Sequence, residues 1–351
     1  MEKRKYNIDL LRIISIIFII LSHYVYHGNI VENSTVTGNI WLALLISICG
    51  KLGANIFVLI SGYFYKENKL KFSKIIKMDL KVIFYSVLIC VIFKSFNIGE
   101  VTLKNWICSV IPLISGLYWF FTAYVGLYLI SPILNYLINN VESKILRRII
   151  IYGFILLSVI PTFTSFDPWY SDVIWFIYVY IVGAYIRLNE ENKYKKYYKI
   201  IALIFVIIIF VLTLSIYYFS MKINALKAGI YHFTAITSSF LFGLAVIHLL
   251  IFKDIKINNN NLNKMIKIIT PHLLYVYILH DNPLVRDVLW NILKCKEMSN
   301  NAFMIINMIT SVIIIFVTSV IIDIFIDVIF DKIKYNKIEE ILNKIMLKIN
   351  L

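Results

Sequence analysis

Arg12 and His23 lie eleven positions apart within one apolar run, IDLLRIISIIFIILSHY. Eleven residues at about 100° each return to within roughly 20° of the same helix face, about 16 Å further along the axis. A guanidinium keeps its charge at any physiological pH and suits an anion, whereas an imidazole can take and return a proton. On one face they could serve the two ends of a single internal channel. Two blander readings stay open: Arg12 snorkels to the interface or pairs with Asp9, and His23 bonds a neighbouring helix.

A second histidine, His280, is followed by Asp281, Asn282, Arg286 and Asp287. That stretch either lines a hydrated cavity as half of a helix or leaves the helix near His280 as an external loop. Ser61-Gly62, inside LGANIFVLISGYFY, offers small residues where a ligand or another backbone can come close. Trp119 stands with Tyr118 at a helix entrance, where interfacial aromatics belong in any case. Asp323 and Asp327 are one turn apart and read as partners of Lys81 or of the basic loops rather than as catalytic groups. His232 and His248 are too far apart for one metal. Cys49, Cys90, Cys108 and Cys295 show no metal or redox spacing, and only a Cys108–Cys295 disulfide stays open.

The elements that hold these residues are set by composition. Hydrophobic residues make up 60% of the 351 and charged residues 16%, with a mean hydropathy of +0.80, so lipid is the main solvent. The net charge of +15 sits in loops. It comes without a glycine-rich phosphate motif, an RNA-binding signature or zinc-finger spacing, which sets nucleic-acid binding aside.

Apolar runs between charged or Asn-rich punctuation predict an all-α, polytopic transmembrane helical bundle of about ten spans. They fall near 8–28, 40–64, 76–98, 117–139, 149–165, 171–188, 198–219, 229–252, 268–292 and 302–330. Alternate loops are rich in basic residues, such as Lys66, Lys69, Lys71, Lys74 and Lys77, while the others hold only Lys104, Lys222, Lys227, Lys294 and Lys296. The positive-inside rule then puts both termini in the cytosol. Residues 1–331 read as one transmembrane domain and 332–351 as a basic cytosolic tail with apolar residues at helical spacing. The first apolar run is longer than a signal-peptide core and reads as a retained helix.

With these residues in place, the chain resembles the acyltransferase 3 family, membrane-bound enzymes that acylate sugars and other surface acceptors, and looks most like members that O-acetylate polysaccharides. The resemblance covers nearly the whole sequence. Its most specific element is an Arg followed after ten residues by a His, matched by Arg12 and His23. IFVLISGYFY, WFFTAYVGLYLISPILNYL, FIYVYIVGAYIRL and LYVYILHDNPL add weaker similarity. Where the family often has arginines after its Ser-Gly motif, this chain has lysines such as Lys66.

The resemblance implies an O-acyltransferase that takes an acyl group, most often acetyl, from acyl-CoA on the cytosolic side. The acceptor would be a hydroxyl of a cell-surface or lipid-linked glycan. It makes His23 and Arg12 the catalytic candidates, and Ser61, Gly62, Lys66, Trp119, His280, Asn282 and Arg286 the candidates for holding substrate or donor. No bound cofactor or metal is expected. The partners are acyl-CoA, the glycan and membrane lipid, in a bacterial inner or plasma membrane crossed several times. The competing class is a glycan or small-molecule transporter or flippase without acyl transfer, although no internal repeat of the kind transporters carry is visible.

Overall fold

The computed structural model describes residues 4–66, 70–189 and 194–332, and every described element is helical. The helices that frame the bundle and its interior are α1 (Tyr6–His27), α2 (Ile48–Tyr63), α3 (Phe72–Ser95), α4 (Trp119–Asn140), α5 (Ser143–Phe154), α6 (Asp172–Leu188), α7 (Tyr198–Ser220), α8 (Ser239–Phe252), α9 (Leu273–His280), α10 (Pro283–Ile292) and α11 (Met304–Lys332). The proposed tail, 332–351, lies outside the described residues apart from Lys332.

Among the described residues, seven stretches are long and apolar enough to cross a bilayer, not ten: Tyr6–Asn33, Thr37–Tyr63, Trp119–Asn140, Ser143–Thr164, Lys195–Ser220, Asn224–Phe252 and Met304–Lys332. Each of the three losses has a physical cause. α3 carries Lys74, Lys77, Asp79, Lys81 and Lys94 within its apolar residues. α6 has only 17 residues, short of the about 20 that a hydrocarbon core needs. The expected span at 268–292 is broken, because α9 stops at His280 and α10 begins at Pro283. Two cytosolic ends rested partly on an even number of spans, and that support falls with the count.

The chain is therefore a multi-pass membrane protein whose exposed face is apolar. α7 presents Ile200, Ile204, Ile207 and Val211 outward, and α11 presents Ile313, Ile314, Val317 and Ile321. In water such a surface would aggregate; against lipid tails it is matched.

α1 runs through the interior and packs on α2, α8, α9, α10 and α11. Its pairing with α2 is antiparallel. Gly50, near the start of α2, faces Ser22, and Gly53 faces Ser15 and Ile19, while at the other end the Arg12 guanidinium lies 5.2 Å from the Phe64 ring. α2 also crosses α6 at two glycines: a Cβ on Gly62 would sit 2.0 Å from Tyr180 O, and one on Gly183 would sit 2.2 Å from Leu59 O. Small residues permit this approach, and dispersion between the backbones rewards it.

Buried polar groups tie the bundle together. Asn55 donates to Ile236 O at 2.9 Å and accepts from Trp175 Nε1 at 2.9 Å. Asp323, fully buried, accepts from Tyr85 Oη at 2.5 Å and bonds His272 Nδ1 at 2.6 Å, and Lys81 lies 2.8 Å from it. Lys81 also reaches Asp327 at 2.5 Å. Intramembrane charges are tolerated when paired in this way. All four cysteines are free, so no Cys108–Cys295 disulfide forms.

Candidate functional site

α1, α2, α3, α4, α9, α10 and the segments before α8, α9 and α10 line a cavity of about 990 Å³, at the upper end of what small-molecule sites offer. Arg12, His23, Ser61, Trp119 and Arg286 line it. The antiparallel α1–α2 pairing gives it two chemically different ends. One holds Arg12, Ser61 and Lys74; the other holds His23, His27, Lys51, Asp281 and Arg286.

At the first end, Asp9 takes Arg12 Nη1 and Arg4 Nε, each at 2.6 Å. The pairing suggested by sequence therefore exists, and Arg12 reaches the cavity as well. One carboxylate shared between two guanidiniums leaves net positive charge there, and Lys74, 5.6 Å from the Tyr128 ring centre, adds to it. Ser61 Oγ bonds Phe57 O at 3.0 Å and Tyr124 Oη at 3.1 Å, which is packing and hydrogen bonding within the wall.

At the second end three histidine rings converge, His23 and His27 from α1 and His280 from the distant α9. His23 Nδ1 lies 3.0 Å from His280 Nε2, and His280 Nδ1 lies 2.6 Å from Val276 O. A carbonyl can only accept, so His280 Nδ1 carries a hydrogen. With both rings neutral, His280 Nε2 then accepts, His23 Nδ1 donates, and His23 Nε2 is left with its lone pair. Asp281 Oδ1 sits 3.0 Å from Arg286 Nη2, 3.5 Å from His27 Nε2 and 3.7 Å from His23 Nδ1; the last distance is electrostatic contact rather than a hydrogen bond. The break between α9 and α10 makes this possible, because Asp281 leaves the helical path and Asn282 caps α10 by accepting from Leu284 N at 2.9 Å.

Four residues singled out from sequence stand off the cavity wall. Gly62 serves the α2–α6 crossing. Lys66 is exposed in the turn after α2, its ammonium 5.9 Å from the Tyr65 ring. His280 supports His23 from behind, and Asn282 donates to Tyr118 Oη at 2.7 Å. Conversely, Lys51, His27 and Lys74 line the cavity without having been selected. Lys51 gave a signal, being a charge inside an apolar run, and so did His27, one turn from His23 on the same face. The groups His23–His27–Asp281 and His272–Asp323–Asp327 also bring ligand-type atoms within 4.8 Å of one another. In each, a protein cation, Arg286 or Lys81, already holds a carboxylate.

The cavity of this helical membrane protein thus has a guanidinium, Arg12, at one end and an imidazole, His23, at the other. The chain belongs to the acyltransferase 3 family: residues 5–327 match that family's model, described as an acyltransferase domain. No curated protein and no solved structure matches the chain.

Proposed function

We propose that this chain moves an acyl group, acetyl in the first instance, from acyl-CoA to a hydroxyl of a cell-surface or lipid-linked glycan. The observation that carries the reading is the single cavity lined by both Arg12 and His23. Arg12 and Lys74 take the anionic part of the donor at one end. The thioester arm runs along the cavity, and the acceptor hydroxyl meets the thioester beside His23.

His23 Nε2 removes the hydroxyl proton as the oxygen attacks the thioester carbonyl. The C–O bond forms, the C–S bond breaks, and the departing thiolate takes the proton back from the imidazolium. His280 holds the ring in the tautomer with a free Nε2, and the Asp281 charge opposes the positive charge that His23 gains on taking the proton. A sugar hydroxyl is a poor nucleophile without such a base.

Thiol release from acetyl-CoA by purified protein, with and without membrane glycan, tests the proposal. Glycan-dependent release that disappears in His23→Ala is expected. No release from wild-type protein that retains its fold, or unchanged release in the variant, would contradict it.

A further inference from the structure

The His23 end of the cavity contains a charge, Lys51, that the transfer mechanism does not use. Lys51 lies on α2 one residue after Gly50, which faces Ser22, so it stands level with His23 rather than with Arg12. Its ammonium rests 3.9 Å from the centre of the Trp119 ring, and no carboxylate among the described residues forms an ion pair with it. The two carboxylates whose charge reaches it are Asp172 and Asp281. Both are held by other groups: Asp172 accepts from Tyr170 Oη, and Asp281 is bound by Arg286 at 3.0 Å. An aromatic face offsets only part of what an ammonium loses on leaving water.

On the wall of the cavity, half-buried and without a carboxylate partner among the described residues, the Lys51 ammonium favours an anion.

We propose that the acceptor bound at the His23 end is an anionic sugar, with its carboxylate or phosphate against Lys51. This rests on the acyl-transfer reading, which puts the acceptor at that end. The donor's phosphates are the other source of such an anion. Arg12 and Lys74 already provide for them, about 16 Å along α1 from His23.

The test is equilibrium binding to the full-length protein in phosphatidylcholine nanodiscs, which carry no net lipid charge. The probes are methyl glucuronide, neutral methyl glucoside and desulfo-coenzyme A, offered to wild type, Lys51→Met and Lys51→Arg. The wild type should bind the glucuronide roughly tenfold tighter than the glucoside. Lys51→Met should abolish the difference, Lys51→Arg should keep most of it, and coenzyme binding should stay constant across the three, which also shows that the variants are folded.

Equal binding of the two sugars by wild type, or a preference that survives Lys51→Met, overturns the proposal. Loss of coenzyme binding in Lys51→Met with the sugar preference intact assigns the charge to the donor and overturns it too. Binding is read without turnover, so failure of acyl transfer and failure of the anion site give different results.

Discussion

At the scale of single residues, the proposed mechanism has His280 act through His23 rather than on substrate. Its ring is only 2% exposed, and its two nitrogens are occupied by Val276 O and His23 Nδ1. In His280→Ala, His23 loses the acceptor that fixes its tautomer. We expect kcat to fall roughly ten- to hundredfold, less than the 10² to 10⁴ that a positioned base contributes, with KM for acetyl-CoA unchanged. Steady-state kinetics separate the two constants, and a rise in KM alone would instead make His280 a donor contact. Arg12→Lys keeps the charge but loses the planar fork toward Asp9 and an anion, so KM for the donor should rise several-fold while the sugar-dependent step is spared; an unchanged KM would assign Arg12 to packing. The shared face of Arg12 and His23 was legible from helical periodicity alone. The His23–His280 contact was not, because it joins residues 257 positions apart and depends on how α1 and α9 pack.

At the scale of elements, the bundle is held by two kinds of close contact. Gly62 and Gly183 allow α2 and α6 to touch backbone to backbone, so Gly62→Ala must push the helices apart. A loss of about 1–3 kcal/mol is expected, read as a lower melting temperature in detergent; a variant as stable as wild type would refute the crossing. The Lys81–Asp323–Asp327–His272 network joins α3 and α11 to the turn before α9. Asp323→Asn leaves Lys81 buried with less compensation and should destabilise by about 3 kcal/mol or more, and adding Lys81→Met should recover part of that. Equal melting of single and double variants would mean that the pair is not coupled.

Pairing of Lys81 with the acidic residues of the last helix could be read in advance, since buried charges need partners. The number of spans could not. Apolar runs do not show that α6 stops at 17 residues, and counting them passed over the charges that interrupt α3; a break near His280 was one of two readings that the sequence left open. That break follows from Asn282-Pro283, a helix-capping residue followed by a first-turn proline.

At the scale of the whole molecule, the fold surrounds one cavity with apolar helices and places ionisable groups at its two ends. The positive-inside pattern described the loops, but it gave no hint that Lys51, a charge inside an apolar run, would sit beside Trp119. Lys51 and Lys74, both apart from the expected catalytic pair, make the cavity more positive than the sequence motif suggested. If that cavity is where acyl groups change hands, its base must control what appears on the cell's glycans. The most direct measurement is mass spectrometry of surface glycans from cells producing wild-type protein or His23→Ala at equal membrane levels. Wild-type cells should show glycans heavier by one acyl group that are absent with the variant, and the same acylated glycans in both strains would contradict the account.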